Sequence, residues 1–60
     1  MRYIIVRVTK NCWIVAEKRV LDSEYTGITR PVPYNTARSI CDDLNILGKP
    51  KPYLQNYMLN

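Results

Sequence analysis

The chain has 60 residues, with nine Lys or Arg against five Asp or Glu, so its formal net charge is +4. A chain of this length forms one small domain and buries only about 60% of the surface that its unfolded form exposes. We therefore expect a partner to add to its stability, most simply a second copy in a homodimer. The sequence contains no His and only two Cys, which excludes the commonest acid–base side chain and the usual zinc ligand sets.

No group of residues has the spacing of a catalytic or cofactor site. Asp42 and Asp43 are neighbours on a predicted helix, where they point about 100° apart and cannot act on one substrate atom. Cys41 has no His to deprotonate it, and two glycines are too few for a phosphate-binding loop. The sequence predicts a non-catalytic binding protein with no cofactor, no metal and no small-molecule substrate.

The apolar runs are shorter than a signal-peptide core or a membrane span, so we expect a cytoplasmic protein that does not bind a membrane. Cys12 and Cys41 lack C-x-x-C spacing and are too few for a disulfide framework. We expect both thiols to be reduced, with Cys41 buried as a small apolar residue.

The first two segments have the alternating, β-branched pattern of strands. A two-residue hairpin loop at Lys10 and Asn11 pairs Val8 with Trp13, whereas a three-residue loop would pair Val8 with Ile14. We favour the two-residue loop because it gives one coherent core face, made of Ile4, Val6, Val8, Trp13 and Val15. The other face of the sheet then carries Tyr3, Ile5, Arg7, Ile14, Ala16 and Lys18.

An edge strand and a helix are predicted next. Residues 28–34 are extended, and Pro31 and Pro33 remove hydrogen-bond donors from one edge, which is typical of an edge strand. Asn35 or Thr36 can cap the helix that follows. Its apolar stripe is formed by Ala37, Ile40, Cys41 and Leu44. Gly48 is expected to end the helix.

Residues 1–48 are predicted to form an α+β domain, a small three-stranded antiparallel sheet (a β-hairpin plus an edge strand) packed by one α-helix. Residues 49–60 are a Lys/Pro spacer and a docking tail, in which four apolar residues share one face of a short helix: Tyr53, Leu54, Tyr57 and Met58. Such a helix is too short to stand alone in water, so the tail docks on its own domain, on a second copy or on a partner. The portion from Trp13 to Asn45 resembles, in its general organisation alone, small sheet-plus-helix domains of phage and mobile-element proteins, including integrase arm-binding domains.

The first functional hypothesis is a small accessory or regulatory protein that binds nucleic acid through a basic sheet face. Residues 1–30 carry six Lys or Arg and three Asp or Glu, so the sheet half of the chain holds most of the positive charge. Cations beside an aromatic residue suit phosphate contacts and stacking. The expected contact residues are Tyr3, Arg7, Lys10, Lys18 and Arg30.

The second hypothesis is an inhibitor or adaptor that binds a host or defence enzyme. The outer sheet face and the tail together offer more apolar surface than one helix can cover, and Tyr and Met are typical of contact surfaces. The expected interface residues are Ile5, Ile14, Tyr53, Leu54, Tyr57 and Met58.

Overall fold

Two antiparallel strands joined by a tight turn begin the fold. In the computed structural model, which describes residues 2–19 and 24–59, strand β1 (Tyr3–Thr9) pairs with strand β2 (Cys12–Lys18). Strand β2 also pairs with strand β3 (Tyr25–Gly27), so the sheet order is β1-β2-β3. The predicted three-stranded antiparallel sheet is confirmed, with the second strand of the hairpin in the middle.

The predicted pairing of the hairpin is wrong by one residue over most of its length. Thr9 lies opposite Cys12, as the two-residue loop requires, but Arg7 rather than Val8 lies opposite Trp13. A β-bulge between Arg7 and Thr9 causes this shift, because it adds one residue to β1 without a partner in β2.

The bulge reverses the two faces of β1. Since side chains alternate with period two, a shift of one residue moves each of them to the other side of the sheet. Tyr3 and Ile5 therefore pack against the hydrophobic core, where the sequence predicted Ile4 and Val6. The prediction for β2 was correct, because Val15 lies in the core and Trp13 packs against it.

The third strand lies earlier in the chain than predicted, at Tyr25–Gly27 instead of residues 28–34. The ladder stops there because the Val15 amide donates to the side-chain hydroxyl of Thr29, at 3.0 Å. Beyond that point the chain touches the sheet again at a single bridge between Trp13 and Val32.

The two prolines act on this segment as predicted. The amides of Trp13 and Val32 each donate to the carbonyl of the other, at 2.8 Å. Val32 therefore directs its main-chain groups toward β2, and Pro31 and Pro33 on either side of it have no donor to offer the opposite edge.

Helix α1 (Tyr34–Leu47) lies across the sheet and confirms the predicted apolar stripe. It begins earlier than predicted: Pro33, with φ of −59°, occupies the N-cap position, and neither Asn35 nor Thr36 caps the helix. The fixed φ of proline already suits the start of a helix. The buried residues of the stripe are Ala37, Ile40, Cys41 and Leu44.

The tail docks on its own domain. It forms a 3₁₀ helix (Pro52–Tyr57), whose Leu54 is 4% exposed and belongs to the core. Met58 bridges to Thr29 and packs against the core as well. The Asp43 carboxylate is buried; it accepts a hydrogen bond from the Lys51 amide at 3.1 Å and so ties the tail to α1.

Gly48 ends α1 as predicted, with φ of 83° and its amide directed to the carbonyls of Asp43 and Leu44. No atom lies within 4 Å of a Cβ built on Gly48. A side chain at this position would therefore clash with no neighbouring atom, but it would strain the backbone, because φ is positive.

Replacing Gly48 is expected to destabilise the fold through backbone conformation alone. Gly48→Ala should lower the free energy of unfolding by about 1 kcal/mol, because L residues pay for the left-handed conformation. Gly48→Asn should lose about half as much, since Asn tolerates that conformation. Urea unfolding at 25 °C measures both, and equal losses for the two variants would contradict the assignment.

Candidate functional site

The sheet face opposite to α1 is apolar. Ile4 lies beside Ala16, and Val6 beside Ile14; we call these four residues the outer face. Ala16 is fully buried by its neighbours, and the other three are half-buried. Within the described chain both helices bury their apolar residues on the opposite side of the sheet, so the outer face has no helix over it.

The outer face extends across all three strands. Gly27 of β3 lies opposite Ala16, and a Cβ on Gly27 would stand 3.0 Å from Cδ1 of Ile14. The Ile14 side chain therefore lies over Gly27. A larger residue at position 27 would have to displace it.

The rim of the outer face has an apolar residue and a positive charge at one end. Tyr25 is 51% exposed there, and Val8, at the bulge of β1, is 49% exposed. Lys18 lies opposite Tyr25 and is exposed. Arg2 forms an ion pair with Glu17, which leaves the Lys18 charge uncompensated by any acid that the structure describes on this side of the sheet.

Strand β1 is an edge strand with regularly alternating main-chain groups. The Lys18 amide donates to the Arg2 carbonyl at 2.8 Å, so the even-numbered residues of β1 bond to β2 and the odd-numbered ones point away. At Tyr3 the outward groups are occupied. Its amide donates to Oδ1 of Asn45 at 3.1 Å, and its carbonyl accepts Nδ2 of Asn45 at 3.1 Å.

The same outward groups farther along β1 are unpaired. In residues 2–19 and 24–59, no main-chain or side-chain group hydrogen-bonds to the outward amides and carbonyls of Ile5 and Arg7. We call these groups the open edge. The open edge lies directly beside Ile4 and Val6 of the outer face.

A second surface lies at the hairpin end, on the α1 side of the sheet. The Arg7 guanidinium stands 5.7 Å from the centroid of the Trp13 ring, and the Tyr34 ring meets Trp13 edge-on at 5.4 Å. We call these three residues the hairpin-end cluster. Arg7 also donates to the carbonyls of Thr9 and Lys10, at 3.2 and 3.1 Å, so it holds the turn as well as the indole.

The predicted nucleic-acid residues do not share one surface. Arg7 and Lys10 lie at the hairpin turn, whereas Lys18 ends β2, five residues or about 17 Å along the strand from Trp13. Arg30 is exposed on the segment after β3. Tyr3 packs against the core and is half-buried.

The predicted interface residues are divided between surface and core. Ile14 lies on the outer face, whereas Ile5 packs against the core. In the tail the predicted shared face is split, since Tyr53 and Tyr57 are exposed while the other two tail residues are inside. The residues of the predicted set that contribute to the core are Ile5, Leu54 and Met58.

Sequence reasoning missed Ile4, Val6, Tyr34 and Asn45. Ile4 and Val6 were assigned to the core because the bulge was not anticipated. Tyr34 was treated as the end of the extended segment, although Pro33 before it has a φ that suits the start of a helix. Asn45 gave no local signal, because its partner Tyr3 is 42 residues away.

The surroundings of the Cys41 thiol favour its protonated form. Burial raises the pKa of the Cys41 thiol, the charge of Asp42 raises it further, and a hydrogen bond from Asn45 opposes the shift. The thiol also donates to the Tyr3 carbonyl at 3.4 Å. Residues 2–19 and 24–59 contain no cluster of three or more His, Cys, Asp or Glu side chains that could hold a metal ion.

Comparisons with protein-family models, with curated proteins and with solved structures found no match to this chain. Neither helix of the described residues is long and apolar enough to cross a membrane. The inference of function therefore depends on the outer face, the open edge and the hairpin-end cluster.

The two free thiols are expected to react at different rates. Cys12 is half-buried beside the turn, whereas Cys41 is buried. At pH 8, Cys12 should therefore react with a chromogenic disulfide reagent at least about tenfold faster than Cys41. Cys12→Ser should remove the fast phase alone. Equal rates for the two thiols would contradict the difference in their burial.

The raised pKa of the Cys41 thiol also makes stability depend on pH. The folded state holds the thiol proton more tightly than the unfolded state does. The stability that this gives is full below the unfolded thiol pKa of about 8.5 and is lost as the pH rises above it.

Proposed function

We propose that this chain is a non-catalytic adaptor or inhibitor that docks on another protein through its outer face. The observation that carries the proposal is that the sheet is apolar on both sides while α1 and the tail occupy only one. An antiparallel sheet with one packed face normally has polar side chains on the other. Here that second face presents Ile4, Val6 and Ile14 around the buried Ala16.

The composition of the outer face supports a protein partner. Its centre has no charged side chain, and the polar residues stand at its ends, which is the arrangement of protein interfaces. The half-buried Ile and Val side chains lose their remaining contact with water when a partner covers them, and this burial drives association. Exposed Val8 and Tyr25 enlarge the contact area at the rim.

The variant Ile14→Lys is expected to abolish or strongly weaken partner binding. A charge at the centre of the outer face is desolvated without a counter-ion, so affinity should fall by about 10- to 100-fold. The measurement is the dissociation constant for the partner captured from the source cells by the immobilised chain. Circular dichroism of the variant checks that the fold is intact.

The matched control is Tyr53→Lys, which introduces the same charge on a tail residue that is 66% exposed. It should leave the affinity within about twofold of the parent chain. Equal losses for both variants, or no loss for Ile14→Lys, would exclude docking through the outer face. Sedimentation of the isolated chain shows whether a second copy is the partner.

Nucleic-acid binding at the hairpin-end cluster is a second candidate function. The specific observation in its favour is that three side chains lie in a row: the Arg7 guanidinium, the Trp13 indole and the Tyr34 ring. Tyr34 is 45% exposed, and exposed Lys10 lies beside Arg7 at the turn. Aromatic rings that accept bases, next to cations that contact phosphates, are the usual parts of single-strand binding sites.

For this candidate we expect Lys10→Glu and Tyr34→Ala to act differently on binding of labelled single-stranded DNA. Lys10→Glu should reduce the slope of log affinity against log salt by about 0.7, the value for one phosphate contact. Tyr34→Ala should weaken binding without changing the slope, because stacking releases no counterions. Fluorescence anisotropy in a salt series measures both.

The control is Lys49→Glu, an identical change of charge at an exposed residue after α1. It should leave the slope unchanged if binding is local to the hairpin end. The same slope change in both Lys variants would indicate attraction by net charge alone, and absence of binding at low salt would exclude this second candidate.

A further inference from the structure

We propose that the open edge of β1 receives an extended acidic segment of the partner protein as an additional strand of the sheet. This inference rests on the proposed function, because the added strand would continue the contact that begins on the outer face. It identifies the mode of recognition as strand addition to an exposed sheet edge.

The main-chain groups along the open edge are arranged to pair with another strand. The outward amides and carbonyls of Ile5 and Arg7 have no partner among the described residues, and they lie on an extended, regularly paired strand. A row of such groups is a template for another strand. Two outward residues offer four hydrogen bonds, since each residue in a hydrogen-bonded pair both donates and accepts.

A side chain already pairs with this edge in the manner of a strand. The Asn45 carboxamide both accepts the Tyr3 amide and donates to the Tyr3 carbonyl, each at 3.1 Å. This is the two-bond exchange that a residue of a neighbouring strand would make. The edge therefore has the geometry for pairing where it is occupied, and the adjacent positions continue it.

The length of the incoming segment is limited at both ends. Asn45 occupies the edge at Tyr3, and the bulge between Arg7 and Thr9 interrupts the regular strand near the turn. Pairing is thus confined to Ile5 and Arg7, and the incoming segment needs only a few extended residues to satisfy the open edge.

The side chains beside the edge indicate the chemistry of the incoming segment. Its residues next to Ile4 and Val6 continue the outer face and should be apolar. Its residues on the other side lie beside Ile5 and Arg7. The exposed Arg7 guanidinium uses two of its five N–H donors on the Thr9 and Lys10 carbonyls and has others to offer a carboxylate. Alternating apolar and acidic residues therefore fit, with the acids on the Arg7 side.

Charge argues against a second copy of this chain as the occupant. A two-fold antiparallel pairing that satisfies all four groups sets Ile5 opposite Arg7 of the other copy. It also brings Arg2 close to Lys10 of the other copy, twice. Like charges opposed across strands destabilise the pairing. Glu17 offsets the charge of Arg2 in part, but each exposed Lys10 lacks an acidic partner within the described chain.

The test uses the intact chain and a blocked heptapeptide of alternating Glu and Val as the probe. Amide hydrogen exchange is followed by NMR at saturating peptide. We expect the Ile5 and Arg7 amides to exchange at least about tenfold more slowly with the peptide bound. The Ile4 and Val6 amides, which bond to β2, are internal controls and should change little.

Two N-methylated peptides of identical composition supply the matched control. In the proposed pairing the Glu amides face β1 and the Val amides face solvent, because residues paired by hydrogen bonds share a side of the sheet. Methylation of the Glu amides should weaken binding at least about tenfold, and methylation of the Val amides should leave it unchanged. A peptide of alternating Lys and Val should not bind.

Several results would overturn the proposal. These are equal binding of both methylated peptides, no added protection at Ile5, or protection in the free chain that rises with its own concentration, which would assign the edge to a second copy. If the strand-addition test fails, the proposed function still stands as long as Ile14→Lys weakens binding of the captured partner. Failure of the Ile14→Lys test while the peptide binds would instead exclude the outer face.

Discussion

One extra residue in the β1 ladder, at the bulge between Arg7 and Thr9, decides how the sheet is used. The bulge turns Tyr3 and Ile5 toward α1 and leaves Ile4 and Val6 on the other side. It also sets which main-chain groups of β1 point away from β2, since pairing and side-chain direction change together. The packed face, the outer face and the open edge all follow from this irregularity.

The elements that depend on local chemistry were predicted from the sequence. The stripe of α1, its end at Gly48 and the effect of Pro31 and Pro33 each follow from helix periodicity or from the conformational limits of one residue type. The bulge could not be predicted, because Ile5 is as apolar as Ile4 and Val6. With apolar residues available on both sides, alternation does not favour one register. In the register observed, Tyr3 and Ile5 are the residues of β1 that pack against the core beneath α1.

The candidate site was predicted in outline and missed in detail. Ile14 was placed on the outer face correctly, and excess apolar surface was foreseen. Asp43 lies off the predicted apolar stripe and Asn45 lies at the predicted end of the helix, yet one holds the tail and the other holds the start of β1. The partner of Asn45 is 42 residues away and that of Asp43 is eight residues away, beyond the end of the helix, so helix periodicity reveals neither role.

The position of Leu54 has a consequence for how the chain matures during synthesis. The sheet and α1 are made first, but the core on their shared side includes a side chain from the 3₁₀ helix that follows. Until the ribosome has released that segment, the nascent hairpin carries apolar residues on both sides with neither side fully covered. Folding to the native core is therefore a late event, and the interval before it is when the chain is most open to aggregation or to an early encounter with a binding protein.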